Sequence, residues 1–159
     1  MKSCAERFGG AAAALAALLL AGAGCSGRAA ERTPRITING HTFAVEIADT
    51  PGLQRLGLSG RPSLAADRAM LFVFGQSRGR SFYMRDCYFP IDIALDADRR
   101  ILNLATMAVE ADPSRPVNYY DSAGPARYVV EAAGGTWERI GAEAGMKVEF
   151  FHVPGADPA

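Results

Sequence analysis

Short apolar or alternating runs, each bounded by turn-forming residues, constrain the fold of this chain more than any other feature. The clearest case is Asn39-Gly40, which separates Arg35–Ile38 from Thr42–Ile47. Asn-Gly between two alternating runs is typical of a tight β-hairpin. Similar runs recur at intervals of roughly 8–12 residues, with too little helical pattern between them for parallel crossovers. The pattern predicts a mainly β fold, an antiparallel sandwich or barrel with one or two short helices.

The predicted helices are short. Thr50 can cap free backbone amides, Pro51 suits a first helical position, and leucines follow at helical spacing to about Leu58. A second helix is expected at Thr136–Gly141. A hairpin is expected across Asp96–Arg99, where the aspartates favour a turn over a calcium loop because further ligands are missing. The other predicted strands are Met70–Phe74, Ser81–Met84, Ile91–Leu95, Arg100–Ala105, Arg127–Ala132 and Lys147–Val153, and Asp112–Pro125 is expected to be a long loop.

The N-terminal segment has the pattern of an export signal. Lys2 and Arg7 precede an uncharged stretch, residues 8–27, that contains the Ala/Leu run Ala11–Leu20. Two cleavage interpretations remain open. The sequence AGA at positions 21–23 fits an ordinary signal peptidase and gives a soluble periplasmic protein. The sequence GAGC ending at Cys25 resembles a lipobox, which gives a lipid-anchored protein. An uncleaved helix is a third interpretation, since the span is just long enough to cross a bilayer.

We expect the lipoprotein arrangement. Residues 1–24 are then a signal peptide, Cys25 is lipidated, residues 25–34 are a tether, residues 35–153 form one mostly β domain, and 154–159 are a tail. The protein is expected on the periplasmic side of the cell envelope. The chain has 17 basic and 17 acidic residues. Because the signal contributes only three charges, the mature chain stays near neutral, which predicts no nucleic-acid partner.

Three blocks of sequence, in a fixed order, resemble a known family. They are ADTP at 48–51 with RLGL at 55–58 and MLFVF at 70–74, then FYMRDCYFPIDI at 82–93, and last Tyr120 and Ser122 followed by YVVE at 128–131. Together they resemble domain-of-unknown-function family 192 over Thr37–Phe151. The resemblance implies a jelly-roll-like β fold, often behind a signal peptide, and no established activity. The chain departs from the family pattern in several places. Tyr83 stands where Trp is usual, Asp86 where Asn is usual, and Cys87 where Thr is usual.

The candidate site lies around the second block. Asp92 interrupts the apolar run Ile91–Leu95. It is either an ordinary solvent-facing residue or a pocket-lining carboxylate kept ionised by an arginine. Few polar groups among apolar ones are typical of ligand sites, and a long loop often forms a rim. The candidate ligand-binding residues are Arg55, Arg61, Tyr83, Met84, Asp86, Asp92 and Ser122.

Other chemistry has less support. Cys87 beside Arg85 suggests a nucleophile with a lowered pKa, but the resemblance favours a packing role, because Thr is usual there. His41 and His152 are isolated, and no zinc-ligand spacing or Gly-x-Ser-x-Gly elbow is present. We therefore expect no metal and no cofactor.

Three functions remain open from the sequence. The first is an envelope module that binds a small ligand, a glycan or a partner protein near Tyr83–Asp92. The second is an envelope hydrolase that uses Asp92 or Asp86 as acid or base, with an arginine stabilising charge. The third is a purely structural accessory lipoprotein, which a surface without a pocket would favour. Fold alone does not choose between them.

Overall fold

The computed structural model describes residues 33–155. The predictions of a signal peptide, of lipidation at Cys25, of most of the tether and of the tail's last four residues lie outside the described residues. Within residues 33–155, no helix has the length and apolar character needed to cross a membrane.

Nine strands and two short helices make up the described chain. In order they are β1 Arg35–Ile38, β2 His41–Ala48, α1 Pro51–Leu56, β3 Arg68–Arg78, β4 Ser81–Phe82, β5 Ile91–Ala97, β6 Arg100–Met107, β7 Tyr120–Asp121, β8 Ala126–Ala133, α2 Thr136–Ile140 and β9 Val148–Phe151. Seven strands form one sheet in the order β6-β5-β8-β3-β2-β1-β9, and β4 pairs with β7 in a second, two-stranded sheet. The predicted mainly β fold with two short helices is confirmed.

The edges of the large sheet meet at one end. Arg100, at the start of β6, pairs with Lys147 just before β9 in an isolated antiparallel bridge. The Ile101 amide donates to the Met146 carbonyl at 3.0 Å, and the Gly145 amide donates to the Ile101 carbonyl at 2.7 Å. The sheet therefore curls into a partly closed barrel, an arrangement that leaves fewer unpaired edge groups.

One pair of strands departs from the predicted antiparallel arrangement. β2 and β3 run parallel, with Ala44 opposite Arg68 and Ala48 opposite Phe72. A parallel pair needs a long crossover, usually helical. The segment from Asp49 to Asp67, which contains α1, supplies that connection, so the expectation of too little helix for a crossover is wrong at this one place.

Both faces of the central strands are buried. Leu71 and Val130 contribute to a cluster inside the barrel with Phe43, Tyr128 and Trp137. Their chain neighbours Phe72 and Val129 point the other way into a second cluster, which the segment between β4 and β5 covers with Met84 and Cys87. Burial on two faces explains the continuous apolar runs in β3 and β8.

The hairpin between β5 and β6 turns later than predicted. Asp98 and Arg99 hold the tight turn, with φ of 51° and 62°, which is typical of a two-residue hairpin connection. Asp96 lies within β5, opposite Tyr128, and its side chain is fully buried. Burial raises the pKa of Asp96 from 3.8 to about 7. The prediction that Asp96 begins the turn is therefore wrong, because a bulge between Leu95 and Asp96 shifts the register.

The start of α1 follows the predicted chemistry. The Leu53 amide donates to Thr50 Oγ1 at 3.3 Å, and Pro51 occupies the first helical position. The helix ends at Leu56, two residues earlier than predicted, because Gly57 adopts φ 51° and ψ −134°. This conformation is open to glycine and strained for other residues.

Candidate functional site

A cavity of about 480 Å³ lies between α1 and the segment that runs from the end of β3 to Cys87. The buried lining residues, which we call the floor, include Phe72, Met84, Cys87, Ile91, Met107 and Glu131. The exposed arginines of the lining, which we call the rim arginines, are Arg55, Arg78 and Arg85. The volume lies within the range of small-molecule sites.

Glu131 is the acidic residue of the floor. It belongs to β8, is 5% exposed, and lines the cavity from below. No described residue donates a hydrogen bond to its carboxyl group. Burial raises the pKa of Glu131 from 4.5 to about 8, because desolvation penalises the charged form. At neutral pH the protonated, uncharged form therefore predominates, and it offers one donor and several acceptor sites to the cavity.

The chain passes close to this carboxyl at Gly57. A Cβ atom at Gly57 would lie 3.6 Å from Glu131 Oε2 and 3.6 Å from Phe72 Cζ. The residue that ends α1 therefore also closes one wall of the cavity against Glu131. We call this site the Glu131 cavity.

Three members of the predicted set line the Glu131 cavity. Met84 is fully buried in the floor, Arg55 lies at the end of α1, and Tyr83 is 40% exposed at the rim. The Tyr83 ring packs edge-on against Tyr119, with centroids 6.0 Å apart. The Arg85 guanidinium lies 5.6 Å from the Tyr83 ring centroid, a cation–π distance that orients Arg85 at the rim.

Arg61 lies outside the lining. Its two terminal nitrogens donate to the two carboxylate oxygens of Glu46, each at 2.8 Å. This fork-like geometry is the strong form of an ion pair, and it holds the pKa of Glu46 below its usual value through the hydrogen bond from Arg61. The pair joins the segment after α1 to β2.

Asp92 also lies outside the lining and faces neither solvent nor the cavity. It is 1% exposed. Oδ1 accepts a hydrogen bond from the Thr106 hydroxyl at 2.7 Å, and Oδ2 accepts one from the Trp137 amide at 2.9 Å. The carboxylate therefore joins β5, β6 and the first turn of α2.

Asp86 and Ser122 form hydrogen bonds that hold the backbone around the cavity. Asp86 adopts φ 53°, a conformation that Asp and Asn tolerate better than most residues. Its amide donates to the Pro113 carbonyl at 2.8 Å, and its carbonyl accepts from the Gly60 amide at 2.8 Å. Ser122 and Arg80 exchange two hydrogen bonds of 2.9 Å, which fix the entry into β4.

Cys87 occupies a protected place in the floor. Its side chain is 5% exposed, and burial, reinforced by Glu131, raises the pKa of the thiol to about 11. A thiol is a nucleophile only as thiolate. The geometry therefore favours the packing role over the nucleophile.

Sequence reasoning did not select Glu131, although the same signal was present that selected Asp92. Glu131 interrupts an apolar strand, Tyr128-Val129-Val130-Glu131-Ala132-Ala133. The signal that selects it is an acidic residue within a strand that is buried on both faces.

The described residues hold no cluster of three or more His, Cys, Asp or Glu side chains that could bind a metal ion.

Comparison with known proteins gives one family and four matching chains among the solved structures. A family model described as "DUF192: Uncharacterized ACR" matches residues 34–150. No curated protein matches.

Two of the similar solved structures come from Sinorhizobium meliloti and Novosphingobium aromaticivorans. A Sinorhizobium meliloti 1021 protein described as a "putative transcription regulator" is 31% identical, with a TM-score of 0.66 over 76% of this chain and 93% of that chain. A Novosphingobium aromaticivorans DSM 12444 protein of unknown function is 34% identical, with a TM-score of 0.65 over 74% of this chain and 83% of that chain.

Proposed function

This chain belongs to domain-of-unknown-function family 192, and we propose that it is a cell-envelope binding module that holds a small ligand in the Glu131 cavity. One observation carries the proposal. A buried carboxyl group lines a cavity of about 480 Å³, and no described residue donates a hydrogen bond to it.

The open hydrogen-bonding capacity of this group supports ligand binding. Buried polar groups in proteins are almost always hydrogen-bonded, whereas the carboxyl group of Glu131 lines the cavity and has no partner among the described residues. A ligand with a hydroxyl or carbonyl group supplies that partner. The apolar floor around Glu131 supplies the contact area that small-molecule sites use.

Methionine methyl NMR tests the proposal. The protein is the mature chain, residues 25–159, carrying Cys25→Ser so that no detergent is needed. Met84 and Met107 line the cavity, whereas Met70 and Met146 lie outside its lining. We expect members of a fragment library of small organic compounds to shift the Met84 and Met107 methyl signals and leave those of Met70 and Met146 in place. A library that shifts none of the four, or only the outer two, refutes the proposal.

The envelope location rests on the sequence pattern around Cys25. We expect the full chain to incorporate labelled palmitate, and Cys25→Ala to abolish this labelling. Cys87→Ala is the matched control, since it removes a cysteine from the folded domain. Labelling that survives Cys25→Ala rules out the lipid anchor at this position.

A second candidate function is hydrolysis of envelope material. It is favoured by the raised pKa of Glu131, about 8, in a cavity that arginines line, since general acids and bases often have such shifted values. Glu131 then takes the role first assigned to Asp92 or Asp86. Loss of turnover in Glu131→Gln, with ligand binding retained, separates this function from simple binding.

A further inference from the structure

We propose that the ligand of the Glu131 cavity is a small organic anion, whose charged group lies among the rim arginines and whose apolar body points towards the floor, where Met84 and Met107 lie. The inference rests on the proposed function, because it names the chemical class of compound that the same cavity takes.

The charge of the lining supports an anion. Arg55, Arg78 and Arg85 are exposed, and none of them forms an ion pair with a described carboxylate. The lining contains a single acidic residue, Glu131. The cavity mouth is therefore strongly positive, which attracts anions and repels cations.

A fourth arginine adds positive charge beside the cavity, but its own contacts leave it unavailable to bind the anion directly. Arg80 donates from Nε to the Ala126 carbonyl at 3.2 Å, and its guanidinium lies 3.6 Å from the centroid of the Phe74 ring. These contacts hold its charge beside the cavity. The anion's direct partners are then the three rim arginines, whose guanidinium groups suit carboxylate, sulfonate or phosphate oxygens.

The floor defines the other end of the ligand. Met84 and Met107 are flexible, polarizable side chains that adapt to an apolar body. The carboxyl group of Glu131 lines the same floor, and in its protonated form it can donate a hydrogen bond to, or accept one from, a hydroxyl or carbonyl group. The class of ligand is therefore an anion with an apolar body and a neutral polar group at its far end.

Two fluorescent probes that differ by one sulfonate group test the inference. 8-Anilinonaphthalene-1-sulfonate and N-phenyl-1-naphthylamine share one aromatic body, and only the first carries a sulfonate. Both probes brighten in apolar surroundings. We expect the mature Cys25→Ser chain to bind the sulfonate at least tenfold more tightly at low salt, and the difference to shrink in 1 M salt, as screening predicts.

Variants that each remove one arginine charge show which residues cause the preference for the sulfonate probe. Arg85→Gln and Arg78→Gln should each weaken sulfonate binding several-fold and leave binding of the neutral probe unchanged. Arg115→Gln is the matched control, because Arg115 is exposed and lies outside the lining. The Met84 and Met107 methyl signals should shift with both probes.

The outcomes separate the inference from the proposed function. Equal affinity for the two probes, with both shifting Met84 and Met107, overturns the anion preference and leaves the binding module standing. Sulfonate selectivity that Arg115→Gln reduces as much as Arg85→Gln also overturns it. If neither probe binds, or if both bind without shifting these methyl signals, the inference fails, and the fragment library then decides separately whether the proposed function stands.

Discussion

Asp92 and the backbone amide of Trp137 are joined by a hydrogen bond of 2.9 Å across 45 residues of chain. Trp137 lies in the first turn of α2, whose N-cap residue, Gly135, offers no side chain to its free amides. Asp92 supplies the missing acceptor from β5. Its carboxylate is placed near the positive end of the helix, where a negative charge is favourable.

Replacing Asp92 should therefore destabilise the fold. Asp92→Ala leaves the Trp137 amide and the Thr106 hydroxyl without their acceptor, so we expect the free energy of unfolding to fall by about 2–4 kcal/mol. Asp92→Asn keeps one carbonyl oxygen and should lose about half as much. Chemical denaturation measures both values. Glu143→Ala, an exposed acidic position, is the control. A loss for Asp92→Ala no larger than that of the control would show that the cap is unimportant.

Asp92 and Glu131 show why the candidate site was only partly predictable from the sequence. Each is one acidic residue in a run of apolar strand residues, and the local pattern of the two is the same. Asp92 finds one donor on the adjacent strand β6 and one at the start of the distant helix α2, whereas Glu131 finds none among the described residues. The distinction depends on which segments pack over each strand, and a short stretch of sequence does not contain that information.

The predictable and unpredictable features of the fold differ in the same way. The Asn39-Gly40 hairpin and the start of α1 were predicted because turn and capping chemistry is local. The parallel pairing of β2 with β3 and the small sheet of β4 and β7 were missed. Both join segments that are far apart in the chain, and β7 has only two residues, too few for an alternation pattern.

Cys87 should react slowly with thiol reagents. In the mature Cys25→Ser chain it is the remaining cysteine. With a pKa raised from 9.0 to about 11, the thiolate fraction at pH 8 is smaller by roughly 100-fold. We expect the folded chain to react with Ellman's reagent at least ~100-fold more slowly than the chain in guanidinium chloride. Comparable rates in the two conditions would identify Cys87 as an accessible, activated thiol.

Gly134 should not tolerate substitution by a residue with a side chain. A Cβ atom there would lie 2.7 Å from Pro90 Cβ and 3.0 Å from the Pro90 carbonyl oxygen. Gly134→Ala should therefore cost about 1–3 kcal/mol of stability through forced backbone movement.

Gly52 in α1 is the matched control for Gly134. A Cβ atom at Gly52 meets nothing within 4 Å, so Gly52→Ala should raise stability by about 0.5 kcal/mol through better helix propensity. Thermal unfolding of the two variants gives opposite shifts in Tm. Shifts of the same sign would contradict the close approach at Pro90.

Glu131 should make the protein less stable as pH rises. Its pKa is 4.5 in an unfolded chain and about 8 in the folded protein. Between these values the unfolded chain has released a proton that the folded chain keeps, so the free energy of unfolding falls by at most ~1.4 kcal/mol per pH unit. Asp96, with a pKa raised to about 7, adds a contribution of the same sign below that pH.

Glu131→Gln removes the titrating group and keeps its shape. We expect denaturation at pH 5, 6, 7 and 8 to show a shallower loss of stability in this variant than in the unsubstituted protein, with the largest gain at pH 8. Glu143→Gln, at an exposed position, should leave the slope unchanged. If Glu131→Gln follows the same slope as the unsubstituted protein, Glu131 is ionised in the folded state at neutral pH, and its cavity then carries a negative charge that opposes binding of an anion.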